Sequence, residues 1–218
     1  GMLCEAKDGA VTPIVHKSEV ALRGEHNLEN LLAAFCAVWG MVDVAVMAQV
    51  ARSFQGVEHR IEPVRTLNGV QWFNDSIASS PTRVIAGLRA FNQKLILLAG
   101  GSNMRVSFAP LAPELLAHVK KLVLISNPAE KAAAAARGES SYQTSAEQIE
   151  AAVRAEPGFA ESGMNILHAE SMQQAVRLAY EAAQPGDIVS LSPACASFDF
   201  YPNFEVRGRH YKELVNAL

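Results

Sequence analysis

Beyond residue 58 the apolar positions alternate between two rhythms: short continuous runs and longer stripes of helical spacing. The runs at 94–99, 121–126, 165–169 and 187–191 read as strands buried on both faces. Between them the spacing predicts helices near 82–91, 109–119, 128–136, 145–155 and 171–183. A last helix covers 203–218, with Phe204, Tyr211, Leu214, Val215 and Leu218 on one stripe. Residues 61–66 and 70–73 flank Asn68-Gly69, a two-residue turn signal that predicts a hairpin. Strands alternating with helices of this length predict an α/β domain, its largely parallel sheet covered on both faces by right-handed crossovers.

The first 57 residues follow another pattern. Residues 10–15 and 20–22 are strand pieces, too few for a sheet that stands alone. Asn27 is placed to cap a helix through the apolar run 31–39. A second helix over 43–54 carries Val44, Val46, Met47 and Val50, with Gln55-Gly56 as a left-handed stop. Residues 31–51 are nearly continuous in apolar character, but Gly40 and Asp43 interrupt them, so two buried helices explain them better than a membrane span. The change of pattern puts a domain boundary near Glu58, giving domains 1–57 and 58–218.

At 218 residues and 50% hydrophobic, the chain suits one full domain and part of another. A formal charge of −3 offers no electrostatic footprint for nucleic acid or an anionic membrane. Cys4, Cys36 and Cys195 lie far apart with no CxxC, which suits a reducing cytoplasm without disulfide or zinc. Gly1 ahead of Met2 reads as an expression scar, and no secretory signal follows.

Chemistry is expected where strands give way to helices, since open parallel sheets bind ligands at their carboxyl edge. The stretch 191–208 leaves a strand through small residues, crosses an aromatic run and enters the last helix. Asn74-Asp75-Ser76-Ile77-Ala78-Ser79-Ser80-Pro81-Thr82 has more hydroxyls than capping requires, and Asp75 suits a ribose hydroxyl, a metal-bound water or an Asx turn. Gly100-Gly101 suits a close backbone approach to an anion, though a plain tight turn explains it as well. His59-Arg60 at the boundary is a surface dipeptide or a phosphate clamp. Cys195 reads as packing, and Ser197 lacks the GxSxG elbow of a hydrolase. No GxxxxGK[ST] phosphate loop occurs.

Five stretches, in order, resemble the Mur ligase family, and within it the branch that adds D-glutamate. They are Gly24-Glu25-His26-Asn27-Leu28-Glu29-Asn30, His59-Arg60, Asn74-Asp75-Ser76, Gly100-Gly101, and Ser192-Pro193-Ala194-Cys195-Ala196-Ser197 with Asn203-Phe204-Glu205-Val206-Arg207-Gly208. The resemblance runs from about Gly24 to Leu218 and implies a Rossmann-like C-terminal domain, preceded by a helical remnant of the central ATPase domain. It implies an ATP-dependent ligase of peptidoglycan synthesis, with UDP-N-acetylmuramoyl-L-alanine and D-glutamate as substrates, an acyl phosphate intermediate and assisting Mg2+. It further implies ATP contacts at Asn27, Asn30, Arg60 and Asp75, and a D-glutamate site at Ser79, Ser197 and the Phe204 backbone. The central-domain residues that hold Mg2+ have no counterpart here, and because the phosphate loop is absent the chain alone is expected to be inactive. Two residues depart from the family pattern: Ile77 and Met104 stand where lysines are expected, with Arg105 one residue away. The competing readings are a stand-alone nucleotide or amino-acid binding module, and a folylpolyglutamate synthase type.

Overall fold

In the computed structural model, which describes residues 1–102 and 106–218, the chain forms two compact units, Gly1–Val57 and Glu58–Leu218. The smaller unit is an antiparallel hairpin, β1 (Met2–Lys7) and β2 (Ala10–His16), followed by helices α1 (Glu25–Val38) and α2 (Val44–Ser53). Asp8 and Gly9 turn the hairpin at φ of 51° and 81°, the left-handed pair that a two-residue turn demands. Leu3, Ile14 and Val15 of the strands pack with Leu31 and Phe35 of α1 and Met47, Ala48 and Ala51 of α2. That cover is what two strands need in water.

Three expectations fail in this unit. Residues 20–22 are not a strand. Asn27 is not a cap: Gly24 takes φ 90°, a conformation open to glycine, so α1 begins at Glu25. Asn27 is then a buried first-turn residue whose amide donates back to the Arg23 carbonyl at 2.7 Å. Finally, α2 ends at Ser53 with Phe54 extended, so Gly56 comes one position past the seat a glycine stop would occupy.

The larger unit bears out the α/β expectation. Its sheet has the order β3-β4-β8-β5-β6-β7. The strands are β3 (Glu62–Leu67), β4 (Val70–Asn74), β5 (Leu95–Gly100), β6 (Val119–Ile125), β7 (Asn165–Ala169) and β8 (Ile188–Leu191). Only the β3–β4 hairpin is antiparallel, turning at Asn68-Gly69; the other neighbours run parallel. The helices are α3 (Pro81–Leu88), α4 (Ala112–His118), α5 (Pro128–Ala136), α6 (Ser145–Ala155), α7 (Met172–Ala182) and α8 (Phe204–Asn216).

Alternation along the central strands splits the core in two. Leu95, Leu97 and Ala99 of β5 face Val84 and Leu88 of α3, Leu115 of α4 and Ile149 of α6. Ile96 and Leu98 face Val176 of α7 and Tyr211 and Val215 of α8. β5 is fully buried along its length, which explains its unbroken apolar run. β8 enters last yet lies between β4 and β5. The loops leaving β4, β8 and β5 therefore meet at one edge of the sheet, the place where such folds hold ligands. No helix among the described residues is long and apolar enough to cross a membrane.

Candidate functional site

Arg207, the first residue of the Arg207-Gly208 pair on α8, is buried and joins two of these loops. Its Nη1 donates to the Cys195 and Ala196 carbonyls, both at 3.0 Å. Nη2 donates to the Ser76 carbonyl at 2.8 Å and Nε to the Ser76 hydroxyl at 3.0 Å. Ser76 Oγ in turn donates to the Phe204 carbonyl at 2.7 Å. The Ala194 amide adds a bond to the Ala78 carbonyl at 2.9 Å. The loop after β4, the turn after β8 and the start of α8 are thus one hydrogen-bonded block. Burial pulls the Arg207 pKa down to about 10, leaving it charged at neutral pH.

Within that block Ser197 is buried, and its carbonyl accepts from the Phe200 and Tyr201 amides. The Asn203 side chain caps α8 by accepting from Val206 N at 2.8 Å. Phe204 is the first residue of α8, where an amide has no intrahelical acceptor. Ser79 is half-buried, its hydroxyl resting on the Ile77 carbonyl at a long 3.4 Å. Hydroxyls and a helix-start amide on a fixed block can receive a carboxylate.

Asp75 lies beneath this surface. One carboxylate oxygen accepts from the Ile61 amide at 3.2 Å and the other from Ser192 Oγ at 2.8 Å. Burial pushes its pKa up to about 7, against those hydrogen bonds and the nearby Arg60 and Arg83 charges. Its oxygens are therefore turned to internal partners. What it holds from below is the turn that presents the exposed Arg60, flanked by left-handed His59 (φ 67°) and Ile61 (φ 45°). The His59 carbonyl accepts from Ile77 N at 3.2 Å, tying that turn to the loop after β4.

Glu58, His59 and Glu62 form the one His/Cys/Asp/Glu cluster of metal-ligand spacing among the described residues. Lys212 already fills the cation role there, its Nζ lying 2.6 Å from Glu58 and 2.8 Å from Glu62. The cluster does not fit Mg2+.

Gly100 and Gly101 owe their lack of side chains to the protein itself. A Cβ on Gly100 would stand 2.1 Å from the Ile125 carbonyl oxygen, and one on Gly101 2.3 Å from that of Ala196. The pair is a close-packed turn of the sheet edge. Cys195 is buried, with its thiol pushed up to about 12 by desolvation, so it is packing.

Of the residues singled out from sequence, Arg60, Asp75, Ser79, Ser197 and Phe204 all belong to the larger unit and lie on or beneath this hydrogen-bonded edge. Asn27 and Asn30 belong to the smaller unit, where Asn30 donates to Asn27 at 3.3 Å. Met104 and Arg105 lie outside the described residues. Sequence reasoning assigned no role to Ser76, Ser192 or Arg207, and read His59 with Arg60 as a surface dipeptide or a phosphate clamp, whereas His59 is buried. An arginine followed by glycine inside an apolar helix stripe was the available signal for Arg207.

Comparison with known proteins places this architecture. Residues 59–195 match the family model described as Mur ligase, glutamate ligase domain. The UDP-N-acetylmuramoylalanine–D-glutamate ligase of Clostridium beijerinckii is 45% identical over 205 residues, covering 94% of this chain and 41% of that protein. The chain thus spans about two-fifths of that relative's length. A pseudomurein peptide ligase type C from Methanothermus fervidus superposes with TM-score 0.59 at 16% identity, covering 98% of this chain and 39% of that one. The Mycobacterium tuberculosis folylpolyglutamate synthase complexed with ADP gives TM-score 0.56 at 15% identity, over 87% and 41%. These two share the fold. With a buried parallel sheet, a locked loop edge and a family match over more than half its length, the chain belongs to the Mur ligase family, and carries its glutamate ligase domain.

Proposed function

We propose that this chain is the C-terminal part of an ATP-dependent ligase that joins D-glutamate to UDP-N-acetylmuramoyl-L-alanine in peptidoglycan synthesis. The observation that carries the reading is the Arg207-locked block, which holds Ser79, Ser197 and the Phe204 amide on one edge, combined with 45% identity to a D-glutamate ligase. In this reading those three groups receive D-glutamate. Arg60 contacts ATP, with Asn27 and Asn30 from the smaller unit, itself the end of the ATPase domain. Asp75 serves the nucleotide side by fixing the Arg60 turn through Ile61. ATP supplies the phosphoryl group that activates the acceptor carboxylate, and the amine of D-glutamate displaces it. Mg2+ is held by residues outside this chain, since the Glu58–His59–Glu62 cluster is occupied by Lys212.

The chain alone has no phosphate-cradling loop in its sequence, so it binds but does not turn over. Phosphate release is measured with ATP, D-glutamate and UDP-N-acetylmuramoyl-L-alanine, first with the 218-residue chain and then with the full-length ligase that carries it. The expected result is no turnover in the first case and D-glutamate-dependent turnover in the second. Turnover by the chain alone, or a full-length enzyme indifferent to D-glutamate, overturns the reading.

A further inference from the structure

This inference rests on the ligase reading and deepens it. D-Glutamate brings two carboxylates, while Ser79, Ser197 and the Phe204 amide offer only neutral donors. A carboxylate is held more strongly where a cation joins such donors. Arg207 cannot be that cation, because its Nε, Nη1 and Nη2 all serve Ser76, Cys195 and Ala196. Among the described residues, Arg60 and Arg83 are the guanidinium groups near enough to Asp75 to lower its pKa. Arg60 sits on the 58–61 turn, away from Ser79 in the chain. Arg83 sits in the first turn of α3, directly after the Ser79 loop, and is exposed.

One carbonyl gathers the relevant groups. The Ile77 oxygen accepts from Ser79 N at 2.8 Å, from Ser79 Oγ at 3.4 Å and from Arg83 Nη1 at 3.1 Å. The Ser79 hydroxyl and the Arg83 guanidinium therefore meet at the same atom. A 3.4 Å hydroxyl bond to an oxygen that already has two other donors is weak, and is readily exchanged for a carboxylate. Beyond Nη1, the fork of Arg83 makes no hydrogen bond with the described residues, which leaves Nε and Nη2 for a planar, two-pronged grip on a carboxylate. Ile77 provides the anchor through its carbonyl, so its side chain needs no charge of its own.

We infer that Arg83 binds a carboxylate of the incoming D-glutamate, with Ser79 as its neutral partner, and so sets the affinity for the amino-acid substrate. The test compares Arg83→Gln, Arg83→Lys and Arg60→Gln in the full-length ligase that carries this segment, with initial rates taken while each substrate is varied in turn. Loss of a charge-assisted hydrogen bond predicts a KM for D-glutamate about 10-fold higher in Arg83→Gln. Arg83→Lys falls in between, because it keeps the charge and loses the fork. The KM for ATP stays unchanged in both, and the melting temperature as well, since Arg83 is exposed. Arg60→Gln shows the opposite split, raising the KM for ATP. An unchanged KM for D-glutamate in Arg83→Gln, or an equal rise in the KM for ATP, overturns the assignment of Arg83. A wild-type enzyme without D-glutamate-dependent turnover overturns the ligase reading itself, so the two failures are told apart.

Discussion

Gly208 lacks a side chain because the His59 imidazole stands where one would be. A Cβ there would lie 2.2 Å from Nδ1 and 2.8 Å from Cε1 of that ring. The ring is fixed on its other sides too. The Asn74 side-chain Oδ1 accepts from Ser76 N at 3.2 Å, which orients the side-chain amide so that its Nδ2 faces His59 Nδ1 at 2.8 Å. Nδ1 must then accept, and the proton of the neutral ring sits on Nε2. Phe204 adds an edge contact, with ring centroids 5.9 Å apart. The imidazole is thus wedged between the end of β4 and the first turns of α8, while the same residue's backbone begins the Arg60 turn.

From this wedge follows a double-mutant cycle. Gly208→Ala alone forces the ring aside and is expected to cost about 1–3 kcal/mol, the usual penalty of an overpacked core. In a His59→Ala background the ring is gone, and the nearest remaining atom is Asn74 Nδ2 at 3.1 Å, the end of a side chain that can shift by the few tenths of an ångström required. Alanine is then the better helix residue by about 0.5–1 kcal/mol, so the sign of the Gly208→Ala effect reverses. Urea unfolding of the four chains measures the coupling. Additive effects would show that Gly208 answers to some other neighbour.

A second expectation concerns pH. Asp75 titrates near 7 in the folded chain, above its ordinary 3.8, and Asp199 near 6, in both cases chiefly through burial. Between the ordinary and folded values the native chain keeps protons that the unfolded chain has lost. Stability contributed by these groups is therefore full below about pH 4 and falls as pH rises through 6 and then 7. Asp75→Asn removes its share of the slope, most visibly above pH 6, where Asp199 has already titrated. It also leaves one of two donors, Ile61 N–H or Ser192 O–H, without a carboxylate oxygen, so overall stability drops. Denaturation midpoints between pH 4 and 8 for both chains give the answer, and an unchanged slope in the variant would remove Asp75 as its source.

The fold of the larger unit was legible because burial on both faces writes itself as continuous apolar runs. The 94–99 run became β5, and Asn68-Gly69 made its hairpin. Asp8-Gly9 carries the same turn signal, yet β1 went unread. Its sequence, MLCEAK, lies on a partly exposed strand with a shift in register after Leu3, so its alternation is broken. Asn27 misled because glycine is also a favoured N-cap, and Gly24, three residues earlier, starts the helix first. At the site, Ser197 and Phe204 were named by the family resemblance; position in the chain showed only that Phe204 opens a helix. It hid the groups that fix them. Arg207 finds Ser76 131 residues away, and nothing local in either segment announces that bond.

Arg207 gives the sharpest remaining test. Its guanidinium satisfies four acceptors, the carbonyls of Ser76, Cys195 and Ala196 and the Ser76 hydroxyl. Arg207→Met keeps the stem's packing and removes every donor, leaving the Ser76 and Cys195 carbonyls unmatched while that of Ala196 keeps the Ser102 amide at 3.1 Å. A loss of about 3 kcal/mol or more is expected. Lysine, whose ammonium is compact and lacks the planar fork, recovers only part of it. Stability by itself would not separate a clamp from ordinary packing, but amide hydrogen exchange does. If Arg207 joins the two loops, protection at 76–78 and at 194–197 falls together in Arg207→Met, while the start of the β6–β7 ladder, where Lys121 pairs with Asn165 at the opposite edge of the sheet, keeps its protection. Loss confined to α8 would mean that the helix holds itself and the loops are fixed by other bonds, such as that of Ala194 N to the Ala78 carbonyl. Simultaneous loss in both loops would show that this loop edge is built by one buried cation, which spends its charge on the protein and so leaves the recognition of any ligand to others.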